Sequence, residues 1–152
     1  MGAALVADPA IAGVAFTGST STARAINRTL AAKDGPIVPF IAETGGLNAM
    51  IVDATALPEQ VADDVVMSAF RSAGQRCSAL RVLFLQEEIA DKTIELLKGA
   101  MRELRIGDPA ALATDVGPVI DEAARARLEA HAGEMQNTGK VIQRLSLPAV
   151  CQ

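Results

Sequence analysis

Short aliphatic runs closed by turn residues, each set against a stretch of helical spacing, constrain what this chain can fold into. Residues 11–16, Ile-Ala-Gly-Val-Ala-Phe, are the first such run, with the length and composition of a strand buried on both faces. Thr17-Gly18-Ser19-Thr20-Ser21-Thr22 follows, a small-residue turn rich in helix N-cap candidates. Ala23, Ile26 and Leu30 then recur at helical spacing. Strand, Gly/Ser turn and helix in that order aim backbone N–H groups and a positive dipole end at an anion. The pattern suits a phosphate-bearing ligand at Gly18-Ser19. It suits a plain capped turn equally, since the G-x-G-x-x-G spacing is absent.

Lys33-Asp34-Gly35-Pro36 closes that helix, and residues 37–42 read as a second buried strand with Pro39 near its start. The strand runs into Glu43-Thr44-Gly45-Gly46, where paired glycines let a ligand approach the backbone closely. Glu43 has two readings. Buried at the strand end, its pKa would rise toward that of a usable general base; facing water, it is an ordinary surface charge. Residues 48–53 give a third strand, and Leu57-Pro58-Glu59 opens a helix with proline and acid in its first turn. Two apolar rows, Val61/Val65/Ala69 and Ala62/Val66/Phe70, make that helix well buried, and Gly74 is its natural stop.

Cys77 stands between this helix and a strand at 81–85, flanked by Arg76 and Arg81. Guanidinium groups beside a thiol favour the thiolate, which is the nucleophile. The competing reading is a buried structural cysteine that packs as a small hydrophobe. Residues 89–105 form an amphipathic scaffold helix with Ala90, Ile94, Leu97, Met101 and Leu104 on one face. A turn at 107–109 and a loop at 110–118 lead to Asp121, which caps a last helix carrying Ala124, Leu128 and Met135. Residues 141–147 read as a final strand. His131, the sole histidine, sits among charges on the last helix and reads as a surface residue.

Composition narrows the partners. A net charge of −4 without a basic cluster argues against nucleic acid and anionic membranes. Only 3% of residues are aromatic, so stacking on bases is poorly supplied. No apolar run reaches the roughly 18 residues of a membrane span. Cys77 and Cys151 make no disulfide framework and match no zinc spacing, so no metal site is expected and a reducing cytoplasm is the simpler setting.

Phe16-Thr17-Gly18-Ser19, Glu43-Thr44-Gly45-Gly46 and Gly74-Gln75-Arg76-Cys77 resemble, in order and separation, the nucleotide-site, general-base and nucleophile motifs of the aldehyde dehydrogenase superfamily. Residues 41–53 and 68–82, with 106–109 and 116–121, are similar to one branch. That branch is the L-glutamate γ-semialdehyde (1-pyrroline-5-carboxylate) dehydrogenase domain of bacterial proline utilization A. The resemblance covers about residues 2–142. Leu47, where a lysine commonly follows the double glycine, agrees with this branch.

The resemblance implies an α/β fold, a fragment of the aldehyde dehydrogenase architecture. Residues 1–44 would be the C-terminal part of the NAD-binding domain, and 45–152 the N-terminal part of the catalytic domain. Cys77 would attack the aldehyde carbon to give a thiohemiacetal that passes hydride to NAD+. Glu43 would activate the water that hydrolyses the thioester to glutamate, with the Cys77 backbone N–H holding the oxyanion. Ser19 would lie against the cofactor pyrophosphate, with Thr17 and Gly18 shaping that contact. Thr44 and Gly45 would pass the nicotinamide, and Arg76 and Ser78 would meet the polar end of the substrate. Family members are much longer, so the chain is expected to be an internal fragment with little activity alone, from a cytoplasmic enzyme that forms homo-oligomers. Two readings of other classes stand beside this one: a self-associating or binding module with exposed apolar faces, and a thiol acyltransferase that uses Cys77 without a nucleotide.

Overall fold

A computed structural model describes residues 1–148 of the 152; Cys151 lies outside the described residues. The chain divides after Gly46 into two compact units.

The first unit runs α1 (Gly2–Ala7), β1 (Val14–Thr17), α2 (Thr20–Ala31) and β2 (Phe40–Glu43). The short helix α1 has no counterpart in the sequence reading. β1 and β2 pair in parallel, from Val14 opposite Phe40 to Thr17 opposite Glu43. Pro39 sits just before β2, where its missing N–H costs the ladder nothing, and its carbonyl accepts from Val14 N at 3.0 Å. Ser19 is the N-cap of α2, its Oγ accepting from Thr22 N at 3.1 Å. Lys33 Nζ donates to the carbonyls of Asp8 (2.6 Å) and Ile11 (3.2 Å), tying the end of α2 to the chain entering β1. Both strands are shorter than expected, and neither is buried on both faces: β1 alternates half-buried with exposed, and β2 is exposed after Phe40. A two-stranded ladder supplies no layers to enclose both its faces.

The second unit is a β–α–β crossover with two further helices: β3 (Asn48–Val52), α3 (Pro58–Phe70), a 3₁₀ turn (Arg71–Gly74), β4 (Leu80–Leu85), α4 (Glu87–Glu103) and α5 (Glu122–Thr138). β3 and β4 are parallel, as a helical crossover requires. Asp53 holds the turn out of β3, its Oδ1 accepting from Thr55 N (2.8 Å) and Thr55 Oγ1 (2.6 Å). Those bonds keep its carboxyl below the usual aspartate range. Pro58 occupies the first turn of α3, where an N–H would be unpaired in any case. The core is Val52, Val61, Val65 and Leu80, with Met50, Ala69, Leu83, Leu85, Ile89 and Leu97 packed against it. Period-two alternation then turns Ile51 and Phe84 outward, 84% and 55% exposed.

Helix α4 meets this core through a row that shares Leu97 with the expected face. Ile89 and Leu97 pack on the cluster, and Thr93 between them is fully buried. Thr93 Oγ1 donates to Ile89 O at 2.8 Å, so the hydroxyl is satisfied within its own helix. Ile94 and Met101 line a groove of about 370 Å³ with Met135, Val141 and Ile142, and Leu97 borders it as well. Asp121 caps α5 as expected, accepting from Ala124 N at 2.7 Å. Of that helix's apolar residues only Ala124 is buried; Leu128 is 50% exposed. The strand expected at 141–147 does not form. Its first residues border α4 and α5 rather than a sheet edge, and strand-forming residues make a strand only where a ladder partner exists. No helix among the described residues is long and apolar enough to cross a membrane.

Candidate active site

In the first unit the parallel pairing brings two of the sequence motifs side by side. Thr17 lies opposite Glu43, and Gly18 N donates to Glu43 O at 3.0 Å. The turn at 17–19 and the Glu43 motif therefore share the C-terminal end of one strand pair, where parallel sheets place their ligands. Ser19 Oγ is committed to the cap, bonding Thr22 N, Thr22 Oγ1 (2.8 Å) and Ser21 Oγ (3.0 Å). The amides of Thr20 and Ser21, in the first turn of α2, have no hydrogen-bond partner among the described residues. A Cβ at Gly18 would stand 2.5 Å from the Phe16 ring, so any side chain there displaces the ring. A bare backbone at 18 and free amides at a helix start are the donor set a pyrophosphate takes, so these residues fit that part of a dinucleotide.

Of the two readings of Glu43, the structure takes the water-facing one: its side chain is exposed at the end of β2. Thr44 is half-buried and Gly45 exposed. A Cβ at Gly45 would meet nothing within 4 Å. The fold of the chain itself therefore does not require glycine at 45.

In the second unit Cys77 is an exposed free thiol, not a buried structural cysteine. Helix α3 ends at Phe70, and the chain then turns through left-handed backbone at Ser72 (φ 56°), Ala73 (φ 51°) and Gly74 (φ 67°). That turn delivers Cys77 and Ser78, both exposed, ahead of the fully buried Ala79 and β4. The hydrogen bonds of both flanking arginines go to backbone carbonyls. Arg76 Nη2 donates to Met67 O (2.9 Å) and Ser68 O (3.1 Å), capping the last turn of α3. Arg81 Nη2 donates to Gly74 O at 2.6 Å, holding the left-handed turn. Both guanidinium groups thus build the loop.

Three further residues shape it, and the sequence reading gave none of them a role here. Gln75 Oε1 accepts from Ile120 N at 2.8 Å while its Nε2 donates to Ser72 O at 3.0 Å, so one side chain ties the turn to the segment before α5. Ser68 Oγ accepts from Leu80 N at 3.2 Å. Asn48 Nδ2 donates to Cys77 O (2.7 Å) and Ala79 O (2.8 Å). The available signal was a carboxamide opening an otherwise apolar strand. Glu43 stands in the first unit, and Cys77, Arg76 and Ser78 in the second.

The class of protein follows from a family match that spans both the strand–turn–helix at 14–31 and the exposed, braced cysteine. Residues 1–144 match the aldehyde dehydrogenase family, and the chain belongs to it. Among its relatives, the bifunctional protein PutA of Escherichia coli K12 is 54% identical over 145 residues, covering 93% of this chain and 11% of that protein. A crystal structure of a Bradyrhizobium japonicum proline utilization A (PutA) mutant superposes with a TM-score of 0.94 at 67% identity, covering 99% of this chain and 16% of that one. The 1-pyrroline-5-carboxylate dehydrogenase from Thermus with bound NAD gives a TM-score of 0.86 at 29% identity, covering 99% and 30%. The fold is thus an α/β portion of the aldehyde dehydrogenase architecture, and the chain spans under a third of each of these relatives.

Proposed function

We propose that this chain carries the nucleophile and general base of an NAD-dependent dehydrogenase that oxidises L-glutamate γ-semialdehyde to L-glutamate in proline catabolism. The observation that carries the reading is the exposed Cys77 on a braced loop, within a family match running from residue 1 to 144. The names of the PutA and 1-pyrroline-5-carboxylate dehydrogenase relatives support the substrate.

Cys77 thiolate attacks the aldehyde carbon, forming the S–C bond and moving negative charge to the carbonyl oxygen. The Cys77 amide, which has no partner among the described residues, donates to that oxyanion. Bound NAD+ supplies the hydride acceptor. Glu43 takes a proton from the water that attacks the thioester carbonyl, and glutamate leaves as the thiolate is regenerated. Thr17, Gly18 and Ser19 hold the pyrophosphate, and Thr44 and Gly45 pass the nicotinamide through their backbone. Ser78 meets the polar end of the substrate, joined by whichever Arg76 N–H groups its two carbonyl bonds leave free. In this reading residues 1–44 belong to the NAD-binding domain and 45–152 to the catalytic domain of a cytoplasmic homo-oligomer. The 152-residue chain alone turns over little or no substrate.

An amide-resolved NMR titration tests the cofactor assignment. NAD+ should shift residues 17–21 and 43–45 in the wild-type chain, and Gly18→Val should suppress those shifts by displacing Phe16. Shifts confined elsewhere, or unchanged by Gly18→Val, would overturn the assignment. Robust NADH production by the purified chain would overturn the expectation of inactivity.

A second reading rests on Ile51 and Phe84, which project from the outer face of the β3–β4 pair at 84% and 55% exposure. Apolar side chains presented together favour self-association of the isolated chain.

A further inference from the structure

We propose that Asn48 is a positioning residue for the nucleophile: it fixes the peptide planes around Cys77 and so aims the oxyanion-binding amide. The catalytic meaning of this inference rests on the function proposed above; the clamp itself does not.

Asn48 is half-buried at the first position of β3, five residues beyond Glu43 in sequence. The β3–β4 register slips beside it: Asn48 lies opposite Leu80 but Ala49 opposite Val82, leaving Arg81 as an extra residue. Such a bulge bends its strand and re-aims what precedes it. Here what precedes it is Cys77-Ser78-Ala79, and the carboxamide of Asn48 reaches two of its carbonyls, Cys77 O at 2.7 Å and Ala79 O at 2.8 Å.

The two peptide planes that bracket Cys77 are therefore each pinned. The plane before it, which contains the Cys77 N–H, is held because Arg76 O accepts from Ala79 N at 3.1 Å. The plane after it is held because Cys77 O accepts from Asn48. With both fixed, the φ and ψ of Cys77, the direction of its Cα–Cβ bond and the direction of its N–H are set together. A primary amide suits the task because one NH2 group carries two donors. Aspartate has the same shape but, ionised, only accepts, and would face two carbonyl oxygens.

The test uses the full 152-residue chain as wild type, Asn48→Ala and Asn48→Asp. Hydrogen exchange is read at the Ala79 and Leu80 amides, which bond Arg76 O and Ser68 Oγ inside the clamped loop, with α3 amides around Val65 as the reference. Both variants should exchange about tenfold faster or more at 79 and 80, as expected for losing one or two net hydrogen bonds, with the reference changed less than about twofold. Aspartate should be at least as disruptive as alanine. If Asn48 only filled space, the isosteric aspartate would resemble wild type, and that result would overturn the clamp. Equal acceleration in α3 would make Asn48 a contributor to global stability and would also overturn it.

The second readout compares two reactions of Cys77. Acylation by p-nitrophenyl acetate passes through an oxyanion; alkylation by iodoacetamide, a displacement at saturated carbon, does not. The acylation-to-alkylation ratio should fall about tenfold in both variants, a fraction of the cost of losing an oxyanion donor outright. An unchanged ratio beside faster loop exchange would overturn the positioning role. A wild-type ratio equal to that of the urea-unfolded chain would sink the catalytic reading, while exchange would still decide the clamp.

Discussion

Cys77→Ala should abolish covalent acylation of the chain by p-nitrophenyl acetate and cut its ester turnover on the order of a thousandfold or more, toward the rate without protein. The ester isolates the thiolate step: the S–C bond forms, the C–O bond breaks and p-nitrophenolate leaves, with no cofactor needed. The thiol is exposed at the end of a turn whose shape is held by other side chains, by Arg76 on Met67 and Ser68, by Arg81 on Gly74 and by Asn48 on the Cys77 and Ala79 carbonyls. Removing the sulfur should therefore leave folding stability within about 0.5 kcal/mol of wild type. Peptide mapping by mass spectrometry checks the first statement and urea denaturation the second. Undiminished acylation, or acetyl groups on other side chains in its place, would show that Cys77 is not the nucleophile.

The second large effect is structural. Gly74→Val should destabilise the second unit by about 2–4 kcal/mol, through a left-handed conformation that β-branched residues avoid and a clash with backbone. Gly74 has φ 67°, and a Cβ there would stand 2.8 Å from Ala69 O and 3.1 Å from Arg81 Nη1. The carbonyl belongs to the last turn of α3 and cannot give way cheaply. Ala73, also left-handed at φ 51°, supplies a control of opposite sign. Ala73→Gly should be neutral or stabilising by up to about 1 kcal/mol, since glycine relieves the left-handed penalty. Urea midpoints for the two variants measure both, and a Gly74→Val chain as stable as wild type would contradict the description of this turn.

Much of this architecture is written locally. Pro58 and Glu59 mark the start of α3, its two apolar rows mark the buried face, and Asp121 marks the cap of α5. The position of Cys77, between the end of α3 and the start of β4, followed from those boundaries. What escaped depends on partners distant in sequence or on choices local chemistry leaves open. An arginine beside a cysteine can reach the thiol or a helix-end carbonyl, and Arg76 and Arg81 take carbonyls. A left-handed Ser72 and Ala73 carry no signal, because only glycine announces that conformation. On α4, periodicity offered a face through Ala90 and Ile94. Of that face Leu97 does pack on the core, but its companion there is Ile89. The buried residue between them is Thr93, since a threonine whose hydroxyl bonds its own helix can be buried like an apolar residue. For Glu43 the sequence left burial and a water-facing position both open, and the second holds because burial requires covering layers that one pair of strands does not provide. The role of Asn48 needed the β3–β4 pairing before its reach to Cys77 and Ala79 was visible.

The central proposal is that Cys77 and Glu43 act on one reaction. The lifetime of acetyl-Cys77, formed by a pulse of p-nitrophenyl acetate and followed by intact-mass spectrometry, tests it most directly. Wild type should lose the acetyl group as Glu43-activated water attacks the thioester, and Glu43→Gln should hold it about a hundredfold longer, as removal of a general base predicts. Equal lifetimes in the two proteins would contradict the pairing and leave Cys77 as a nucleophile without its base.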